Sequence, residues 1–421
     1  MTSGPLAGLR VLEFSLILSA PYGGSQLSDL GAEVVKVEQP GGDPFRNLGA
    51  VVPDYSKTFQ SVNRGKRSIV IDLQSPEGRA VVHQMVPSFD VVMINYRPGV
   101  PARLGIDYET LSALHPTLIY VDISGFGTSG PMAAQAASDM VAQAYGGSTA
   151  ADGRLDDDGA PVWMSIAIAD IPTGAAAAMG TVAALYHRER TGQGQLVSAS
   201  LLRTVMSQLG LSLMREPVSD AAGRDVLKAE LAAIRQRGGS YDELIAARTT
   251  FFAAERLYEA GYVASDGGIV LGAITREQRD ACRRVLGIDD DPTDDSGFDA
   301  TAAEPSRQVA ALKQRIRDRI AEHSVDEWLE RFAEQGAPAS AVNFPEEISD
   351  DPLGILEMVE LISTVVGPTR HVMPTVHNRE APTAIQSAPP ELGDATDDVL
   401  REIGGLDPDA IAALRASGAV A

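Results

Sequence analysis

The chain has 421 residues, 44 % hydrophobic and 22 % charged, with a mean hydropathy of −0.03. This balance excludes a disordered or fibrous polymer and, at this length, predicts more than one hydrophobic core. Fifty-seven acidic against 35 basic residues leave a net charge of −22, which opposes binding to nucleic acid or anionic membranes, so any phosphorylated ligand must be held by locally placed cations and backbone N–H groups.

The single Cys282 excludes an intrachain disulfide framework and a cysteine metal cluster, and fits a reducing compartment. Met1 to Pro5 carries neither a basic nor an apolar leader pattern, and the longest apolar stretch, Ser165 to Tyr186, is interrupted by Asp170 and Pro172. A cytoplasmic protein that neither spans nor binds a membrane is therefore expected.

In chain order, Leu9 to Phe14 reads as a buried strand, Pro21 to Leu30 as a helix and Glu33 to Glu38 as the next strand, a βαβ unit. The alternation continues with a strand at Ser68 to Asp72, a helix over Pro76 to Val86, a strand at Val91 to Ile94, a helix near Tyr108 to His115 and a strand at Leu118 to Ile123. Such alternation predicts a Rossmann-like α/β domain with a mainly parallel sheet between helices. Ala175 to Arg188 is an Ala-rich helix that stops near Thr191-Gly192, and Leu196 to Leu213 is a further apolar segment.

From Glu216 to Arg248 the composition becomes charged and helical, with a loop at Arg235 to Gly239, and a strand follows at Gly268 to Gly272. The expected organisation is a large α/β domain over 1–200, completed by 345–421, with a linker over 201–225, a smaller α+β domain over 226–330 and a return linker over 331–345. The acidic stretch Asp289 to Asp299 reads as a solvated loop without calcium-loop spacing, and Pro408 to Ser417 as a final helix.

Gly125 to Gly130 matches G-x-G-x-x-G after a strand, yet Pro131 follows at once and no acidic residue closes a next strand about 20 residues on. The alternative to a dinucleotide site is a flexible turn at the carboxyl edge of the sheet.

Several segments together carry a more specific signal. They are Gly8 to Glu13, Leu30 to Glu38, Asn63 to Ser68, Asn95 to Gly99, Arg190 to Gln195, and Leu392-Gly393 with Asp398 to Leu400. In order and spacing the chain resembles the family III CoA-transferases, a group containing formyl-CoA transferase, carnitine CoA-transferase and related acyl-CoA racemases. Residues 215–265 match poorly.

The resemblance implies a CoA-transferase with an acyl-CoA and a carboxylic acid as substrates, and with no permanently bound cofactor or metal. It places the acyl-accepting aspartate at Asp170 in Ile168 to Gly174. The residue types alone leave two readings, an ordinary helix N-cap before Pro172 or a carboxylate stabilised at a helix N-terminus for chemistry. The resemblance also implies CoA contacts at Ile17, Ile71, Asn95, Tyr96, Arg97 and Arg103. Arg103 fits either a phosphate contact or a surface ion pair, and Lys66 and Arg67 either structural roles or added positive potential.

Leu18 stands where oxalate-using relatives have a polar residue, and Ser138 where they have a tyrosine and racemase relatives a histidine. Oxalate recognition and α-proton exchange are accordingly disfavoured. Asp139 aligns with an acidic family position and either orients the site or is a solvated helix carboxylate. A catalytically silent CoA-binding protein is the remaining alternative. The resemblance further implies a homodimer of interlocked rings, with Gly336 to Ala339 and Val342-Asn343 in the crossing segment.

Overall fold

The structure is a computed structural model that describes residues 4–253, 257–295, 297–298 and 303–421. It divides into two compact units, one taking the described residues of 1–154, 161–214 and 357–421, the other 155–160 and 215–356.

The first unit opens with β1 (Arg10–Phe14), α1 (Ser19–Asp29), β2 (Glu33–Glu38), α2 (Lys57–Val62), β3 (Lys66–Val70), α3 (Pro76–Met85) and β4 (Val91–Ile94). Then come α4 (Val100–Leu104), α5 (Tyr108–Leu114), β5 (Ile119–Ser124), α6 (Asp139–Gly146), α7 (Ser148–Asp152), α8 (Asp170–Thr191), β6 (Gln195–Ser200), α9 (Leu201–Gln208) and α10 (Gly210–Leu213). The six strands form one parallel sheet in the order β3-β2-β1-β4-β5-β6. The order reverses between β1 and β4, which opens a crevice beyond their carboxyl ends.

Both faces of the sheet are covered, which explains why its strands read as continuous apolar runs. Leu12, Phe14, Val35, Val37, Val92 and Ile94 pack on one side with Val82 and Met85 of α3 and Leu111 of α5. Their alternate neighbours Val11, Val34, Val91, Met93 and Val121 pack on the other with Ala20 and Leu27 of α1 and Ala177 and Ala178 of α8.

Three elements differ from expectation, each for an identifiable reason. β3 starts at Lys66 rather than Ser68, because the Lys66 ammonium is neutralised inside the protein by Glu13 at 2.9 Å. α8 begins at Asp170 rather than Ala175, since Pro172 sits in the first turn, where a missing N–H breaks no helical bond. The apolar run Leu196 to Leu213 divides at Ser200, which ends β6 and caps α9 by accepting from the Arg203 N–H.

The second unit contains α11 (Pro217–Ala222), α12 (Arg224–Gln236), α13 (Tyr241–Ala253), β7 (Glu259–Val263), β8 (Gly268–Gly272), α14 (Arg276–Leu286), α15 (Ala303–Ile320), α16 (Val325–Glu334), β9 (Ala339–Ala341), α17 (Pro345–Ile348) and α18 (Pro352–Leu356). Its antiparallel sheet runs β7-β8-β9 and packs with Cys282, Ile316, Trp328 and Phe332 into a separate core. Within the acidic stretch, Asp291 and Asp294 are not solvated: each meets the Arg283 guanidinium at 2.7 Å. Asp299 lies outside the described residues.

The chain then adds the hairpin β10 (Met358–Ser363) and β11 (Gly367–Val372), followed by α19 (Thr396–Glu402) and α20 (Pro408–Ser417). Val399, Leu400 and Ile411 of these last helices complete the first unit's core. The terminus docks on β3, with Asp72 N–H donating to Ala419 O at 2.9 Å. Among the described residues no helix is long and apolar enough to cross a membrane.

Candidate active site

At the β1–β4 switch point lies a cavity of about 400 Å³. Its walls come from the β1–α1 turn (Leu16 to Ser19), the residues after β4 (Asn95 to Pro98), the end of β5 and the residue after it (Ser124, Gly125), Ser138 before α6, and Asp170 at the start of α8. Arg97 is the one cation and Asp170 the one carboxylate among the described lining residues.

The approach of α1 to α8 sets the position of Asp170. A Cβ on Gly174 would lie 2.3 Å from Ser19 O, and one on Gly23 would lie 2.9 Å from Gly174 O, so the two helices meet backbone to backbone. Asp170, one turn before Gly174, is thereby held near Ser19, which lines the same cavity and whose hydroxyl works to lower the Asp170 pKa.

Asp170 does not cap its own helix; Ala169 occupies the cap position without a side-chain bond. The cap comes from Asp139, whose Oδ2 accepts from the Ala169 and Asp170 N–H groups at 2.8 Å each. The side chain of Gln143 steadies Asp139 by donating to its Oδ1 at 2.5 Å, while its own Oε1 accepts from Met164 N–H at 3.0 Å. The Asp170 carboxylate is left facing the cavity. Burial first, and the nearby Asp139 charge second, raise its pKa to about 6 against the smaller lowering effect of the Ser19 hydroxyl. It is ionised to roughly nine-tenths at pH 7, and it is a less stabilised, more basic carboxylate than one in water.

The other expected residues divide. Ile17, Asn95, Tyr96, Arg97 and Ser138 line the cavity with Leu18. The Asn95 side chain is occupied in joining the two strand ends, accepting from Leu16 N–H at 2.9 Å and donating to Leu16 O at 2.8 Å. Tyr96 packs against the core, and burial raises its phenol pKa. Ile17 has φ of 71°, a left-handed conformation that costs a β-branched residue about 1–3 kcal/mol.

Ile71 does not line the cavity: its side chain is 1 % exposed in the core and its N–H donates to Glu38 O. Arg103 is exposed on α4, also outside the lining. Lys66 is buried against Glu13, Pro21 O and Asn63, and Arg67 pairs with Glu33 and Glu402, so neither directs its charge into the cavity. None of the six histidines lines it. Gly125 forms part of its wall because a Cβ there would lie 2.1 Å from the Ala137 Cβ; the next helix, α6, starts only at Asp139, so the glycine motif lacks dinucleotide-binding context.

Sequence reasoning missed Ser19 and Asp43. Asp43 in Gly41-Gly42-Asp43-Pro44 carries a helix-start signal, and it does accept from Phe45 N–H at 2.9 Å, but nothing local shows that it also reaches Ile17.

The family model for CoA-transferase family III matches residues 6–396. The chain belongs to that family. This family III transferase is 30 % identical to the succinyl-CoA–D-citramalate CoA-transferase of Chloroflexus aurantiacus, over 98 % of its own length and 97 % of that protein. It is 29 % identical to the succinyl-CoA:glutarate CoA-transferase of Mus musculus, over 99 % of its own length and 90 % of the mouse protein. The crystal structure of a CAIB/BAIF family protein from Brucella suis matches it with a TM-score of 0.72 at 28 % identity, covering 95 % of this chain and 100 % of that one. The protein is thus a CoA-transferase enzyme with the α/β fold of its family.

Proposed function

We propose that this enzyme transfers CoA from an acyl-CoA to a carboxylic acid through covalent intermediates on Asp170. One observation carries the reading: Asp170 is the sole carboxylate among the described cavity-lining residues, freed from capping by Asp139 and held with a pKa of about 6.

In the first step an Asp170 carboxylate oxygen attacks the thioester carbonyl, the C–S bond breaks, and CoA thiolate leaves an aspartyl–acyl anhydride. The thiolate then attacks the aspartyl carbonyl, releasing the donor acid and forming an aspartyl-CoA thioester. The acceptor carboxylate attacks that carbonyl, expelling thiolate and forming a second anhydride. Thiolate attack on the acceptor's acyl carbonyl gives the product thioester and returns the Asp170 carboxylate. Each step exchanges one acyl bond for another and needs no net proton. Water has to be kept from the anhydrides, which it would hydrolyse.

The positive end of α8 favours the oxyanions that develop at the Asp170 carbonyl. In this reading Arg97 meets a phosphate of CoA and Ile17, Asn95 and Tyr96 border its path; that all four line the cavity supports it. Ile71 and Arg103, though expected as contacts, have no support from the cavity. Without a histidine at Ser138 or elsewhere in the described lining, the site favours transfer over α-proton exchange. The names of the relatives point to succinyl-CoA as donor and a small dicarboxylic acid as acceptor, and the family resemblance to a homodimer as the active form. Incubation with succinyl-CoA and a panel of dicarboxylates should yield the acceptor's CoA thioester with no free CoA accumulating; hydrolysis alone, or α-proton exchange without transfer, would refute the proposal.

A further inference from the structure

Three consecutive residues of the β1–α1 turn are each held by a side chain from elsewhere in the fold. The Lys36 ammonium donates to Ser15 O at 2.9 Å and to Ser15 Oγ at 3.1 Å. Asn95 bonds both the N–H and the carbonyl of Leu16. Both carboxylate oxygens of Asp43 lie 3.2 Å from the Ile17 nitrogen. Lys36 and Asp43 are themselves joined at 3.0 Å, with neither side chain exposed.

The pair extends into a buried chain of groups. Ser15 Oγ donates to Glu13 Oε1 at 2.5 Å, and Lys66 donates to the same oxygen at 2.9 Å. Burial alone would drive the Lys36 pKa down, but the carboxylates of Asp43, Glu13 and Glu38 outweigh it and hold the ammonium charged. Buried ion pairs of this kind are weak contributors to stability, since apolar groups of equal volume often serve as well. What the Lys36–Asp43 pair does hold is a turn with a β-branched residue at φ 71°, a conformation that persists only where its surroundings over-determine it. Two residues later the same turn supplies Ser19, which with Ile17 and Asp170 lines the cavity and whose hydroxyl works to lower the Asp170 pKa.

We propose that Lys36 and Asp43 are positioning residues, a buried latch that fixes the β1–α1 turn so that Ser19 and Ile17 hold the Asp170 carboxylate and the thioester in reacting geometry. The inference rests on Asp170 being the nucleophile. Besides Ser19 from α1, the charged group facing Asp170 is Asp139 from α6, and Arg97 lines the same cavity.

The test replaces Asp43 by Asn, which keeps an acceptor for the Ile17 N–H but removes the charge facing Lys36. It is read by kcat and by the titration midpoint of Asp170, taken from the acid limb of kcat/KM and from carboxyl 13C NMR. Asp29→Asn is the control, because Asp29 forms a comparable buried pair with Arg64 at 2.7 Å and touches neither the turn nor the cavity lining. A loosened turn moves the Ser19 hydroxyl away from Asp170 and removes its lowering effect on that carboxyl. Asp43→Asn should therefore move the Asp170 midpoint upward and lower kcat by at least about tenfold, whereas Asp29→Asn should leave both as they are. Should Asp43→Asn not fold, Lys36→Met removes the other half of the pair and its bonds to Ser15 and is read by the same measures with the same expected directions. An unmoved NMR midpoint overturns the latch whatever happens to the rate, because that readout does not depend on Asp170 being the nucleophile. Failure of the unmodified enzyme to form a covalent adduct at Asp170 would instead remove the nucleophile and leave a moved midpoint standing.

Discussion

Replacing Asp170 by Asn should make the enzyme more stable while abolishing transfer. On folding, the Asp170 carboxyl is raised from 3.8 to about 6, chiefly by burial and then by the Asp139 charge. A carboxyl raised in the native state binds more protons there than in the unfolded chain between these two values, so stability falls as pH rises through that window and the loss is complete above it. At about 1.4 kcal/mol per pH unit, the charged group costs about 3 kcal/mol at pH 8 and about half of that at pH 5. Asn is nearly isosteric and neutral, and it loses no cap because Asp139 supplies that. Urea unfolding followed by circular dichroism should thus show Asp170→Asn more stable than the parent by about 1–3 kcal/mol at pH 8, with the gain shrinking toward pH 5. A variant that is less stable at pH 8, or whose gain does not change with pH, would show that the buried charge has been misassigned.

Two further outcomes follow from the same geometry. Asp139→Ala leaves the Ala169 and Asp170 N–H groups without their acceptor and should cost about 1–2 kcal/mol of stability by urea unfolding. With the like charge gone, Asp139→Asn should move the acid limb of kcat/KM to lower pH than in the parent, and an unmoved or raised limb would contradict the coupling. Sedimentation equilibrium at assay concentration should give twice the 44.4 kDa chain mass; an active monomer would refute the proposed dimer.

Much of the first unit was legible because its strands are buried on both faces and are bounded by capped helices. Ser75, Asp107 and Asp407 each cap a helix where the sequence places its start. Of the boundaries that moved, the one at Lys66 did so because a tertiary contact overrides local pattern: its charge is unreadable as part of a strand until Glu13 is brought to it. The position of the cavity was also legible, since Asn95 to Arg97 directly follow a strand in an open α/β sheet. Its organisation was not. Asp139 reaches a helix that begins 31 residues later, Asn95 bonds a turn 79 residues earlier, and Asp43 holds a residue 26 positions back. Such partners share no helical or strand periodicity, so only the fold reveals them. Ile71 illustrates the converse: matched by position to a CoA contact, its side chain lies in the core while its backbone forms a β-bridge with Val420.

The central claim is that Asp170 becomes acylated during turnover, and trapping tests it most directly. Enzyme turning over succinyl-CoA with a dicarboxylic acceptor is quenched with hydroxylamine, digested, and the peptide containing Asp170 is examined by mass spectrometry. The account predicts a hydroxamate at Asp170 that requires the CoA thioester and does not form in Asp170→Asn. Transfer that proceeds with Asp170 unmodified, or that survives in Asp170→Asn, would contradict it.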